Sequence, residues 1–233
     1  MAGIPYYDQH ATALTEQYEA LAPEAVHHWL IDLMPVGSDL KALDVGAGSG
    51  RDAAWLVSRG YDVWAVEPSE GMRAQGQQLH ATSRITWLED ALPKLASIAD
   101  LNQRYDFILL SAVWMHVPPE QRASAFETLA GLLTPKGVLA ITLRCGPAPT
   151  ERAMFEVSEE EVRQLADRFG VKVLRCVNAA DQSGRSEVSW IQMALQNTLH
   201  RQQTTQELCT EAKRTGQGDG AKLQAEQVGG AFL

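Results

Sequence analysis

Apolar and polar positions along the chain fall into blocks, and from about residue 41 to 195 the blocks alternate between strand-like and helix-like runs. Residues 41–45 (KALDV) form a short apolar run that ends at a glycine cluster, the pattern of a buried strand. Residues 51–59 read as a helix with Ala53, Ala54, Leu56 and Val57 available to pack, stopped by Gly60. A second strand is predicted over 61–67 (YDVWAVE), closed by Pro68, and Ser69 is a good N-cap for a helix through residue 80. Third and fourth strands fall at 85–88 and at 105–111, the latter (YDFILLS) being the most hydrophobic of the set. Pro118 and Pro119 open a helix to residue 133, a position where proline is tolerated because first-turn amides have no partner anyway. A turn at 134–137 leads into a fifth strand at 138–144. Ser158 with Glu161 forms a capping box for a helix that Gly170 ends, and strands six and seven follow at 171–177 and 188–195.

Strands separated by helices need crossover connections, and crossovers give parallel sheets covered on both faces. Only about ten polar residues (178–187) join strands six and seven, too few for a helical crossover, so strand seven is predicted to run antiparallel. The expected fold is therefore α/β: a Rossmann-like, doubly wound, mostly parallel seven-stranded sheet with an antiparallel last strand. Residues 8–34 carry two helical patterns, the second opened by Pro23 with Val26, Trp29, Leu30 and Leu33 on one face. From about residue 200 the chain is rich in Gln, Thr and Gly, and its scattered apolar residues cannot offset the entropy of ordering it. The expected organisation is an N-terminal helical cap or lid (1–39), one α/β domain (40–198) and a disordered polar tail (199–233).

Composition narrows the choice of function. A chain of 233 residues with 45% hydrophobic residues has room for one domain with a real core plus an appendage. Its 29 acidic against 20 basic residues give a net charge of -9, which lacks the electrostatic footprint of a DNA binder. No run approaches the roughly 18 apolar residues that span a bilayer, and MAGIPYYDQH has neither the basic stretch nor the apolar core of a secretory signal. Cys145, Cys176 and Cys209 are far apart and lack CxxC spacing, which argues for reduced thiols in the cytoplasm and against a metal site.

The chemistry gathers after the first strand, at Leu43-Asp44-Val45-Gly46-Ala47-Gly48-Ser49-Gly50. Alternate glycines let backbone approach a ligand closely, and the helix that follows aims its free amides and positive end at the turn. A tight strand-to-helix turn without a ligand gives the same pattern. Two further residues tilt the balance: Glu67 ends the second strand about twenty residues on, where a ribose is held, and Asp90 follows the third strand. The third small residue of a dinucleotide fingerprint falls at position 51, which is arginine, and no G-x-x-x-x-G-K-[ST] loop is present. Asp44 would repel a phosphate and attract an ammonium group. A ligand with a ribose, a base, a cationic amine and no phosphate suits the turn, and S-adenosylmethionine has those properties.

LDVGAGSG, the acidic end of AVEPS, the ED of ITWLED, YDFILLSAVWMHVPP and the reversed last hairpin together resemble the class I S-adenosylmethionine-dependent methyltransferases over roughly residues 40–195. Within them GSGRDAAWL, GYDVWAVE and the stretch from FEVSEEEV to VSWIQMAL are most similar to small bacterial enzymes of the tellurite-resistance type. Pro135-Lys136-Gly137 replaces the usual P-G-G turn before strand five. The resemblance implies that Asp44, Gly46, Ala47 and Gly48 line the methionine portion of the cofactor. It implies that Glu67, beside Pro68, accepts the ribose hydroxyls, or else ends its strand in solvent. Asp90 accepts from the adenine amino group with the Ala91 amide beside it, or else caps a helix beginning near Pro93. The Ser111 carbonyl closes over the cofactor.

On the acceptor side, His116 is the candidate base, with a loop-ordering histidine as the alternative. Tyr6, Tyr7 and Tyr18 form an aromatic lid or pack the N-terminal helices, Tyr7 being a candidate substrate contact. Arg144 binds an anionic acceptor or lies on the surface, and Trp190 is expected in the core. The implied activity is methyl transfer to a small-molecule acceptor. The alternatives are a protein or RNA methyltransferase and a non-catalytic cofactor-binding module. Enzymes that methylate amino groups of DNA bases carry an Asn/Asp-Pro-Pro-aromatic motif, whereas this chain has His116-Val117-Pro118-Pro119-Glu120. No pattern marks the nucleophilic atom or the oligomeric state.

Overall fold

A computed structural model describes residues 3–198. The expectation of a disordered tail falls on 199–233 and lies outside the described residues. The N-terminal segment holds α1 (Ile4–Gln9), α2 (Ala11–Glu19) and α3 (Pro23–His27), which tightens into a 3₁₀ stretch (His28–Leu33). The sheet region runs β1 (Lys41–Val45), α4 (Arg51–Ser58), β2 (Asp62–Val66), α5 (Glu70–Leu79), β3 (Ile85–Leu88), α6 (Ala96–Ala99) and β4 (Tyr105–Leu110). A 3₁₀ turn (Trp114–His116), α7 (Pro119–Leu132), β5 (Leu133–Cys145), a second 3₁₀ turn (Thr150–Arg152), α8 (Glu159–Arg168), β6 (Val171–Ala180) and β7 (Ser189–Asn197) complete it.

The strands form one seven-stranded sheet in the order β3-β2-β1-β4-β5-β7-β6. The crossover-linked strands are parallel, and β7 runs antiparallel to both β5 and β6, as the short connection requires. Successive residues of a strand face opposite sides, so central strands must be apolar on both. Ile108 and Leu110 of β4 pack with Phe126, Leu129 and Val162 of α7 and α8, while Phe107 and Leu109 pack with Trp29, Leu30, Trp55 and Leu56. That two-sided burial explains why YDFILL reads as a continuous apolar run.

Three local expectations change. The turn expected at 134–137 is a bulge inside a longer strand: Tyr105 pairs with Leu133 and Phe107 with Val138. Four residues of β5 (134–137) there oppose a single residue of β4 (106), three more than even pairing would need, with Lys136 at φ +67°. The two N-terminal helices break into shorter pieces, and the turn after α3 brings His27, Trp29 and Leu30 into full burial. Only half of the capping box at Ser158 forms. Ser158 Oγ accepts from the Glu161 amide at 3.1 Å, but the Glu161 carboxylate accepts from Arg122 Nη1 at 2.6 Å instead of reaching back. No helix among the described residues is long and apolar enough to cross a membrane.

Candidate active site

The carboxyl ends of the parallel strands open into a cleft of about 290 Å³, the place where open α/β sheets bind ligands. Each strand contributes the residues at or just beyond its end: Asp44 and Gly46 from β1, Glu67 from β2, Asp90 from β3, Ser111 from β4, and Thr142 and Arg144 from β5. Ala47, Gly48, Pro68 and Ala91 line the same cleft, as do Tyr7 and His116. The cofactor and acceptor residues singled out from the sequence are thus brought together, whereas Tyr6 of the expected aromatic lid is not among the lining residues.

The glycine turn is held from inside. The Gly46 and Ala47 amides donate to the Val66 carbonyl at 2.8 and 3.0 Å, and the Gly48 amide donates to Glu67 Oε2 at 2.8 Å. These are the groups a pyrophosphate would need, and β2 has already taken them. Gly46 has φ +72°, and a Cβ there would lie 2.5 Å from Val113 Cγ2, so its missing side chain serves torsion and packing together.

Carboxylates concentrate around the turn. Asp44 is buried, and its Oδ2 has no hydrogen-bond partner. Burial, and then the neighbouring Asp52 carboxylate, push the Asp44 carboxyl well above the usual range. Asp52 behaves oppositely. Burial would raise it, but His27 and Arg51 override that and hold it low. Arg51 Nε and Nη2 fork onto its two oxygens at 2.7 and 3.0 Å, and His27 Nε2 lies 3.1 Å from Oδ2. Asp52 therefore carries the pair's charge, and Asp44 is left needing a donor. A ligand ammonium at that spot would satisfy Oδ2 and draw the carboxyl into its ionised form.

Glu67 is also nearly buried, which excludes the solvated strand end weighed from the sequence. Burial raises its carboxyl, while the Ser69 and Gly48 amides pull the other way. Its oxygens accept from those amides at 2.8 Å each, and each oxygen keeps a second lone pair for a ligand hydroxyl. Both Asp90 oxygens are engaged as well, Oδ1 by the Ala91 amide at 2.7 Å and Oδ2 by the Ser97 amide at 2.6 Å. The Ala91 amide, expected to face a base, is therefore spent on Asp90. Asp90 thereby braces the first turn of α6 from a distance, but it is not the N-cap weighed as the alternative: the helix begins at Ala96, not near Pro93, and Leu95 holds the cap position. The residues present fit a phosphate-free nucleoside that carries a cationic amine.

The opposite wall is basic. His116 Nε2 lies 3.0 Å from the Tyr7 hydroxyl. Burial lowers the His116 ring below the ordinary imidazole value, and hydrogen bonds with the backbone at Ala153 and Arg152 partly oppose this. Bonds that favour the charged ring are those in which its N–H donates. With Nε2 unprotonated, the ring accepts from Tyr7, whose own hydroxyl burial pushes far up. Arg144 is 8% exposed, so it is no surface arginine.

Sequence reasoning missed Arg152, Asp181, Arg185 and Gln192, which line this wall, and it placed Trp190 in the core. Trp190 is instead half-buried in the cleft wall, and its Nε1 donates to Asp181 Oδ1 at 3.0 Å. For Trp190 and Gln192 the signal available was register: where β7 runs antiparallel to β5, Arg144 pairs with Trp190 and Thr142 with Gln192. Among the described residues no group of His, Cys, Asp and Glu is placed to hold a metal ion.

Residues 42–137 match the model of a methyltransferase domain. An uncharacterized methyltransferase of Staphylococcus carnosus is 25% identical over 139 residues, covering 59% of this chain and 62% of the relative. A probable S-adenosyl-L-methionine-dependent methyltransferase, TehB of Haemophilus influenzae, is 28% identical over 105 residues, covering 45% of this chain and 36% of the relative. The chain thus spans less than two thirds of either relative. Among solved structures, the 1,6-didemethyltoxoflavin-N1-methyltransferase of Burkholderia thailandensis is similar with a TM-score of 0.58 at 18% identity, over 82% of this chain and 90% of that one. That structure holds 1,6-didemethyltoxoflavin and S-adenosylhomocysteine, and at this identity the likeness concerns the fold.

Proposed function

From the match of residues 42–137 to a methyltransferase domain and the geometry of the cleft, we propose that this chain is a class I S-adenosylmethionine-dependent methyltransferase that moves a methyl group from that donor to a small molecule. When bound, the donor supplies a methyl group activated by a positively charged sulfur. The observation that carries the reading is the acidic glycine turn, with its amides taken by β2 and the buried Asp44 Oδ2 lacking a partner.

Asp44 takes the donor's amine, and Gly46, Ala47 and Gly48 form the floor beneath its amino-acid portion. Glu67 offers its two spare lone pairs to the ribose hydroxyls, beside Pro68. Asp90, Ala91 and Ser111 border the base. Residues 1–39 act as a lid, supported by Tyr7 in the cleft wall and by Arg51 Nη1, which donates to the Tyr18 carbonyl at 3.1 Å. Such a lid favours a small acceptor over a polymer.

The residues work chiefly by positioning, a contribution worth roughly 7–11 kcal/mol of barrier when two reactants are held in line. Where the acceptor loses a proton, it passes to the Tyr7 oxygen as the Tyr7 hydroxyl gives its own proton to the neutral His116 Nε2, 3.0 Å away. Calorimetric titration tests the reading. S-adenosylmethionine and S-adenosylhomocysteine are expected to bind, and NAD is not. Binding of neither sulfur compound would overturn the proposal, and binding without conversion of S-adenosylmethionine to S-adenosylhomocysteine across a metabolite panel would leave only a binding module.

A further inference from the structure

Three guanidinium groups meet on the wall facing the glycine turn: Arg144 at the end of β5, Arg152 from the second 3₁₀ turn, and Arg185 between β6 and β7. Their carboxylate supply is short. Asp181 is committed to Arg185, with Arg185 Nη2 on Oδ1 at 2.7 Å and Nε on Oδ2 at 3.1 Å, and it also accepts from Trp190. Arg152 stacks over the Tyr6 ring at 5.0 Å and donates to the Tyr6 hydroxyl at 3.4 Å, with no ion pair among the described residues.

Arg144 is the most constrained of the three. Its Nη1 has only a 3.3 Å contact with the Gly146 carbonyl, and its Nε is buried without a partner. Nη2, on the same edge as Nε, makes no hydrogen bond among the described residues. A buried guanidinium with one free edge is costly to keep charged. Burial first, and then Arg185 and Arg152, lower the Arg144 ionisation, and Asp181 and Glu187 only partly compensate.

A free Nε/Nη2 edge matches a planar carboxylate, which takes two parallel hydrogen bonds. The surroundings suit an organic body on that carboxylate, since Trp190, Met115 and Met154 line the same region. We propose that Arg144, seconded by Arg152, is the anchor for the carboxylate of a small organic acid, which is the methyl acceptor of this protein. The carboxylate is a handle and not the nucleophile, because an oxygen held by a guanidinium fork is a weaker nucleophile than a free one. The proposal rests on the methyl-transfer reading only in calling this ligand the acceptor; the arginine site stands on its own geometry.

Matched acids and amides test it: benzoate against benzamide, 4-hydroxybenzoate against 4-hydroxybenzamide, and hexanoate against hexanamide. Binding is measured by calorimetry on the full chain, with and without saturating S-adenosylhomocysteine. In at least one pair the acid is expected to bind about tenfold or more tighter than its amide, since losing a charged bidentate contact costs on that order. Arg144→Gln is expected to bring acid and amide to within about threefold while leaving the S-adenosylhomocysteine dissociation constant unchanged. Should that variant fail to fold, the more exposed Arg152→Gln carries the test, with a reduced acid preference expected.

Equal binding of acid and amide in every pair would overturn the proposal, as would a preference that survives both substitutions. Inorganic phosphate competing as well as the best acid would also overturn it, by showing a site for simple oxyanions. Acid preference without any S-adenosylhomocysteine binding would overturn the methyl-transfer reading and keep the arginine site.

Discussion

The two walls of the cleft differ in charge and in how the chain builds them. The donor wall is acidic: Asp44, Glu67 and Asp90 sit at or just past the ends of β1, β2 and β3, and the turn between them is tied to β2 by consecutive amides. The acceptor wall is basic and is gathered from separate stretches, namely Tyr7, His116, Arg144, Arg152 and Arg185. A cationic donor and an anionic acceptor would each meet its complement across such a cleft. Fold and charge sorting are thus two aspects of one arrangement, since successive strand ends set the first wall, while α1, the segments after β4 and β5 and the connection between β6 and β7 together set the second.

The largest effect that separates the walls is expected at His116. His116→Gln removes the proton acceptor and should lower kcat by about 10²–10⁴-fold for an acceptor that loses a proton, with donor binding unchanged. The pH profile sharpens this. Burial holds the folded-state ring below its ordinary value, so the neutral, active ring persists as pH falls through the usual imidazole range. The acid limb of kcat/KM is therefore expected below that range in the wild type and absent in the variant. A wild-type limb at or above the ordinary imidazole value would break the assignment.

Next in size is Glu67→Ala on the opposite wall. It should weaken S-adenosylmethionine binding by about 1–3 kcal/mol, through loss of charge-assisted hydrogen bonds. The same change frees the Gly48 and Ser69 amides, so the melting temperature should fall as well. Glu67→Gln, which keeps one accepting oxygen, should fall between. Neither substitution should alter the preference for acids over amides, and calorimetry on both ligand types checks that the walls act independently.

The same contrast governs how much could be read from the sequence. LDVGAGSG, Glu67 and Asp90 were legible because each follows directly on a strand whose apolar run marks its own end, so spacing along the chain stands in for position in space. The sheet was legible for the same reason, down to the reversal of β7. Arg152 and Arg185 were not, because nothing local distinguishes a cleft arginine from a surface one. Their placement depends on a 3₁₀ turn and a hairpin connection whose paths are set by tertiary packing. The Ala91 amide and the half-formed capping box at Ser158 failed differently. In both cases a neighbour, Asp90 or Arg122, competed for a group that the local pattern assigned elsewhere.

The smallest expected effect lies where the two walls meet, at α1. Tyr7 faces the acceptor side, while the adjacent Asp8 pins the helix to the start of α5, its Oδ1 accepting from Ser69 Oγ at 2.6 Å and from the Gly71 amide at 3.0 Å. The Ser69 hydrogen bond, followed by the Gly71 amide, holds the Asp8 carboxyl below the ordinary carboxylate range. A group depressed on folding stabilises the native state above its unfolded-state value, and that contribution is lost as pH falls through the folded value. Asp8 is exposed, so solvent screens most of the gain. Asp8→Asn should therefore lower the melting temperature by less than about 2 °C at neutral pH. The gap between the two proteins should then close as the wild type protonates below the carboxylate range. Thermal scans across that range check the charge itself, because asparagine keeps an accepting oxygen, and a gap unchanged in acid would mean that shape rather than charge docks the helix.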